Sequence, residues 1–208
     1  MSGTRGKSAS WRTRQEKDPW VQRARREGWR SRAVFKLEQI DQKERLLRPG
    51  MLCIDLGSAP GGWSQYVSET LKGRARIVAV DLLQMDTLPD VEFIQGDFRE
   101  EATLDAILAA LGGERADLVM SDMAPNLSGN KAVDQPRSMY LVELAVELCR
   151  DALKPGGDLV AKLFQGAGAD ALIADLRRQF GKVRVMKPAA SRPGSREVYL
   201  VARNYRMV

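Results

Sequence analysis

The chain has 208 residues, 44% of them apolar and 29% charged, with a net charge of +6 at pH 7. That is enough for one domain with a sizeable core, and the longest apolar runs fall far short of the ~20 residues that cross a bilayer. Histidine is absent, which excludes Ser-His and Cys-His catalysis and most zinc sites and leaves Asp, Glu, Lys, Tyr or Cys as any base.

The opening M-S-G-T-R-G-K-S-A-S has no apolar h-region, so no secretory signal is expected. It is rich in Arg and Ser and poor in acid, as transit peptides are, but short. Residues 1–17 read as loosely held. Asp18-Pro19 is a cap followed by a first-turn proline, which predicts a helix to Glu27, stopped by Gly28. Ser31 is expected to cap a second helix reaching Glu44. Strands and helices then alternate. A strand over 51–55 leads through a Gly-rich turn into a helix over 62–71. Strands follow over 76–81 and 91–94, then a helix over 100–111 and a strand over 117–121. Apolar residues in helical phase predict a long helix over 136–153. A strand centred on 159–164, a helix over 169–180 and strands over 183–187 and 197–203 complete the chain. This order predicts a Rossmann-like, doubly wound α/β sheet of seven strands, mostly parallel. The loop over 188–196 is too short for a helical crossover, so the last strand should run antiparallel. Cys53 and Cys149 have no metal-ligand spacing and no disulfide framework, which fits a reducing, cytoplasmic setting.

Charge is unevenly spread. Residues 1–36 hold 11 Lys/Arg against 3 Asp/Glu, residues 181–208 hold 7 against 1, and the middle holds 15 against 23. An acidic body with two basic ends suits a domain whose termini meet a polyanion.

One strand carries an anomaly. The stretch G-G-D-L-V-A-K-L-F-Q-G, 156–166, has apolar residues on both faces, as a covered central strand does, yet it contains Lys162. An unpartnered buried ammonium is costly. Either the lysine snorkels to water near the strand end, or a site at that end needs it.

The ligand edge of such a sheet lies beyond the carboxyl ends of its strands. Four successive strand ends bring acids there: Asp55 in D-L-G-S-A-P-G-G-W, Asp81, Asp97 in G-D-F, and Asp122 in S-D-M-A-P-N. Singly, each would read as a cap or turn residue; four in register point to a ligand. Asp81, 24 residues after Gly57, stands where a carboxylate accepts from ribose hydroxyls. A dinucleotide would need G-x-G-x-x-G, but the third position is Ala59 and a proline follows. The turn lacks Lys and Arg, and an acidic edge repels pyrophosphate. S-adenosylmethionine, cationic at its reactive end, fits better than NAD.

The motifs R-S-R-A-V-F-K-L, D-L-G-S-A-P-G-G-W-S-Q, G-D-F-R, S-D-M-A-P-N-L-S-G, Y-L-V-E-L-A, A-K-L-F-Q-G and S-R-E-V-Y-L-V-A resemble the FtsJ/RlmE family of S-adenosylmethionine-dependent ribose 2′-O-methyltransferases of RNA. The likeness runs from about residue 20 to residue 202 and is greatest to the bacterial member that methylates a uridine ribose in the A-loop of large-subunit ribosomal RNA during late ribosome assembly. It implies a catalytic Lys-Asp-Lys-Glu set at Lys36, Asp122, Lys162 and Glu197. It also implies cofactor contacts at Gly61, Trp63, Asp81, Asp97 and Asp122, with no metal, no membrane and a monomer working on the ribosomal particle. The division expected is a basic arm over 1–30 and one methyltransferase domain over 31–208.

Several alternatives stay open on the residues alone. Lys162 takes the 2′-hydroxyl proton as a neutral amine, favoured by burial and a Lys36 charge, or stays charged, favoured by Asp122 and Glu197, and stabilises the alkoxide. Trp63 packs at its helix start or touches the cofactor. Asp97, with the Phe98 backbone, is placed to accept from the adenine amino group. Trp20 and Trp29 cover the core or stack on bases, with Arg23, Arg25, Arg26, Arg30 and Arg32 interleaved for RNA phosphates. A catalytically idle RNA-binding factor and a NAD-dependent oxidoreductase are the competing classes.

Overall fold

A computed structural model describes residues 17–125 and 128–206. The first sixteen residues of the expected basic arm, and Asn126 and Leu127 of the S-D-M-A-P-N-L-S-G motif, lie outside them. In chain order the elements are α1 (Pro19–Glu27), α2 (Val34–Glu44), β1 (Met51–Leu56), α3 (Gly62–Leu71), β2 (Ala75–Asp81), β3 (Val91–Gln95), α4 (Glu101–Leu111), β4 (Ala116–Ser121), α5 (Lys131–Ala152), β5 (Leu153–Phe164), α6 (Ala169–Gln179), β6 (Phe180–Met186) and β7 (Glu197–Tyr205).

The seven strands form one sheet in the order β3-β2-β1-β4-β5-β7-β6. The pairs among β3, β2, β1, β4 and β5 are parallel, and β7 runs antiparallel to both β5 and β6. The expected fold class is therefore present. Both faces are covered, and alternation sorts the side chains between them. Leu52, Ile54, Leu56, Leu159, Ala161 and Leu163 pack with α4–α6. Met51, Cys53, Val160, Tyr199 and Val201 pack with α1–α3. Lys162, two residues after Val160, belongs to this second face.

Local punctuation explains most boundaries. Asp18 accepts from the Trp20 N–H at 2.9 Å, Pro19 occupies the first turn, and Gly28 closes α1 in the left-handed region. Two helix starts differ from expectation by more than one residue. Ser31 does not cap α2; its carbonyl accepts from the Val34 N–H, and a tight turn over 31–36 feeds the helix, whose cap Ala33 offers no side-chain bond. α5 begins five residues before Pro136, because Asn130 accepts from the Ala132 N–H and Asp134 accepts from the Ser128 and Gly129 N–H groups. That reciprocal capping sets the start, and Pro136 sits inside the helix.

α1 is docked rather than detached. Ala24 is buried, the Trp20 ring lies 5.3 Å from Phe35, and Trp29 lies 6.2 Å from Tyr66. Residues 17–30 thus share the domain's core, and a boundary at residue 30 cuts through packed structure.

Candidate active site

Four charged side chains meet at the carboxyl ends of β4 and β5. Lys162 Nζ donates to the Asp122 carbonyl at 2.6 Å and lies 2.9 Å from Asp122 Oδ1. Lys36 Nζ, from the first turn of α2, lies 3.0 Å from Glu197 Oε1 and 3.7 Å from Asp122 Oδ1. The register Lys162↔Tyr199 and Phe164↔Glu197 brings the start of β7 beside the lysine. The four side chains are only 7–16% exposed, so each charge depends on its partners. The Tyr199 hydroxyl donates to Asp122 Oδ1 at 2.5 Å, and the Ser191 hydroxyl donates to Glu197 Oε1 at 2.9 Å. Burial pushes the Asp122 carboxyl up, but the Lys162 and Lys36 charges and the bonds from Tyr199 and Lys162 outweigh it and hold the group below its ordinary range. Burial, then the Asp122 and Glu197 charges, drive the Tyr199 phenol well up, so it remains a donor.

Two clefts flank this cluster. One, of about 480 Å³, is lined by Gly57, Asp81, Asp97, Phe98, Asp122 and Met123, with Arg137 and Tyr140 on its rim. The other, of about 530 Å³, is lined by Arg32, Lys36, Gln135, Arg192, Arg196 and Glu197. In the acidic cleft Asp81 accepts from the Ala59 and Leu83 N–H groups at 2.9 and 2.8 Å, which fixes its carboxylate. Gly57 has φ +72°, and a Cβ there would stand 2.5 Å from the Met123 side chain, so only glycine keeps this wall open. Fixed carboxylates beside open backbone suit a ligand bearing hydroxyl donors and positive charge.

The FtsJ-like methyltransferase family model matches residues 29–205. A crystal structure assigned to a ribosomal RNA methyltransferase of Plasmodium falciparum superposes with a TM-score of 0.78 at 30% identity, covering 85% of this chain and 98% of that one. The chain belongs to the FtsJ-like methyltransferase family. A more distant likeness, to the MycE methyltransferase of mycinamycin biosynthesis, has a TM-score of 0.54 at 15% identity and covers 83% of this chain and 47% of that one; it shows the shared fold.

Within this FtsJ-like methyltransferase the expected site residues divide. Lys36, Asp122, Lys162 and Glu197 are brought together, and Asp81, Asp97 and Asp122 share the acidic cleft. Trp63 and Gly61 are not in its lining. The Trp63 indole N–H donates to the Ala33 carbonyl at 2.8 Å, and the ring lies 5.8 Å from Tyr199; it packs beneath the cluster. Gly61 has φ +105°, and a Cβ there would stand 2.9 Å from the Met85 sulfur and 3.0 Å from the Arg30 guanidinium. Asp55 points into the core, where it accepts from the Ser64 hydroxyl at 2.7 Å. Burial pushes its carboxyl up, the Ser64 bonds oppose this, the Asp122 and Asp81 charges add to it, and the result is about 7. Asp97 is engaged by Arg99, whose side chain bonds both oxygens and whose N–H donates at 3.0 Å, and these bonds hold its carboxyl below the ordinary range.

Three of the five arginines expected to serve RNA are engaged within the fold. Arg30 donates to the Pro60, Asp86 and Thr87 carbonyls, Arg32 joins Asp18 to the Ala190 carbonyl, and Arg23 pairs with Glu27 and lies over Phe35. These three staple α1 and its turn to the domain, while Arg25 and Arg26 are exposed. Tyr199 and Ser191 escaped the sequence reading. Tyr199 had a signal, since it follows Glu197 by two in a strand and so shares its face; Ser191 had none.

Proposed function

We propose that this methyltransferase moves a methyl group from S-adenosylmethionine to a ribose 2′-hydroxyl of ribosomal RNA, and more specifically to the A-loop uridine of the large-subunit RNA in late assembly. The observation that carries this is the meeting of Lys36, Asp122, Lys162 and Glu197 between an acidic and a basic cleft. The assignment of the Plasmodium falciparum relative to ribosomal RNA and the resemblance in motifs support the substrate. Two buried free cysteines suit a reducing, cytoplasmic setting, and the protein is proposed to act there as a monomer.

The cofactor, when bound, supplies an activated methyl group on a sulfonium, so the protein's work is positioning and charge. Asp81 would hold the ribose hydroxyls and the Asp97–Phe98 segment the adenine edge. Lys162 as an ammonium has three donors, of which two meet the Asp122 carbonyl and carboxylate. The third is left for the attacking 2′-oxygen. This arrangement supports the fixed-charge role: as the O–CH₃ bond forms and the donor's S–CH₃ bond breaks to leave a neutral thioether, Lys162 would stabilise the negative charge developing on the 2′-oxygen, whose proton would pass to water. Lys36, anchored on Glu197, adds a second positive charge beside the same acid. Arg192 and Arg196 are placed to meet phosphates flanking the reacting ribose.

The test is transfer of labelled methyl from S-adenosylmethionine to ribosomal RNA from cells lacking the gene, followed by mapping of 2′-O-methyl positions. One new methyl at the A-loop uridine is expected. Methylation of a base, or of transfer RNA alone, overturns the assignment.

A further inference from the structure

A second basic surface lies at the opposite end of the sheet from the reaction centre. Arg203 stands six residues along β7 from Glu197, which at 3.3–3.4 Å per residue is about 20 Å away. There a groove of about 410 Å³ is lined by Arg48, Lys182, Arg203 and Arg206, with Asp158 as its acid. A neighbouring groove on the same side holds Lys43, Arg184 and Lys187 with Glu44. The Arg203 guanidinium joins the two by donating to the Glu44 carbonyl.

The two acids are buried and spent. Asp158 accepts from Arg203 and from the Asn204 N–H, and Glu44 pairs with Arg184 at 2.7 Å. Among the described residues Lys43, Lys182 and Arg206 are exposed and make no ion pair. Lys182 and Arg184 share one face of the edge strand β6 with Met186, which packs on the α1–α3 side, where Lys36 also lies. At the upper end of β6, Lys187 donates to the Ser195 carbonyl at 2.5 Å, in the loop that also carries Arg192 and Arg196. Cations thus recur from Arg192 and Arg196 at the basic cleft, through Lys187, Arg184 and Lys182 along β6, to the far groove, with Met186 between Lys187 and Arg184. Charges on an edge strand also block unwanted strand pairing, but that role needs only residues of β6, and Lys43, Arg48 and Arg206 lie off it.

We propose that this face is a phosphate track: it holds the backbone of the RNA strand that continues from the reacting nucleotide, independent of base sequence. The inference rests on the reading of the protein as an RNA methyltransferase. It adds a contact about 20 Å from the chemistry, made by side chains with no part in methyl transfer.

The test uses the full chain and oligouridine of about 20 nucleotides, which needs no knowledge of the target because phosphate contacts are blind to sequence. Lys43→Ala, Lys182→Ala and Arg206→Ala are combined in one variant. The control combines Lys72→Ala, Arg150→Ala and Arg177→Ala, exposed positions elsewhere that remove the same charge. Affinity is measured against salt, and S-adenosylmethionine titration checks that both variants are folded. The track variant should flatten the log–log salt slope by about 2, from three phosphates at ~0.7 each on a single strand, while the control keeps the wild-type slope. Equal slopes for the track variant and wild type overturn the proposal. Equal flattening in both variants overturns it too, by reducing the effect to net charge. A wild type that methylates ribosomal RNA yet shows no salt-dependent binding of oligouridine removes the track and leaves the enzymatic reading standing.

Discussion

Asp55 and Asp122 stand at the ends of neighbouring strands of one sheet, and their carboxyls are pushed in opposite directions from the ordinary range. Around Asp55 the bonds come from Ser64, through its hydroxyl and its backbone N–H, and they do not offset burial, which pushes the carboxyl up to about 7. Around Asp122 burial acts the same way, but two lysines and a tyrosine reverse it. Depth in the fold therefore does not set the charge; the partners do. The region around Asp122 was assembled from β4, β5, β7 and α2 to keep a buried charge, whereas the region around Asp55 tolerates a neutral acid between β1 and α3. A charged centre surrounded by neighbours that favour its ionised form is what electrostatic catalysis requires.

The strongest way to break this comparison is at Lys162. Lys162→Ala should lower single-turnover methyl transfer by about 10²–10⁴-fold, the range for losing a group that handles the proton or its charge, with S-adenosylmethionine affinity nearly unchanged. Lys162→Arg separates the roles, because arginine keeps its charge and cannot release its proton in a protein. Recovery of a substantial share of the rate supports the fixed charge. An Arg variant as inactive as Ala, with a wild-type rate rising through one ionisation, makes Lys162 the base.

The other side of the comparison is a matter of pH. The Asp55 pKa is raised on folding, so its favourable contribution is complete below about pH 4 and is lost as pH rises through about 7. The loss amounts to at most about 4 kcal/mol. Asp122 has the reverse sign: its contribution is complete above the ordinary carboxylate range and is lost only as pH falls through its lowered value. Urea unfolding of wild type and Asp55→Asn between pH 5 and pH 9 should show the wild type losing stability relative to the variant as pH climbs. Parallel curves would mean that Asp55 is ionised throughout.

Tyr199→Phe sharpens the Asp122 side. It removes a charge-assisted bond of roughly 1.5–3 kcal/mol while keeping the ring against Trp63. Methyl transfer should fall about 10-fold or more, to an extent set by that loss, while cofactor affinity holds. A rate equal to wild type would leave the two lysines alone holding the acid. Asp81→Ala tests the cofactor cleft with an effect of similar or smaller size: titration calorimetry should show S-adenosylmethionine weakened by roughly 1.5–3 kcal/mol per lost bond, and an unchanged affinity would take Asp81 out of the site.

Read alone, the sequence determined the alternating order of strands and helices, the antiparallel last strand and the cleft at the strand ends. These follow from hydrophobic period and from Gly, Pro and Asp punctuation, which act within a few residues. Lys162 was also legible, because a lysine in a two-faced apolar strand contradicts its surroundings, and the motifs supplied its three companions. Partnership was not legible. That Arg32 reaches Ala190 and Arg184 reaches Glu44, that Trp63 serves Ala33, and that Asp55 turns inward while Asp122 meets two lysines depend on elements far apart in the chain. The tertiary structure decided these points because a side chain's charge state and role follow from what packing brings within a few ångströms, and no local pattern records that.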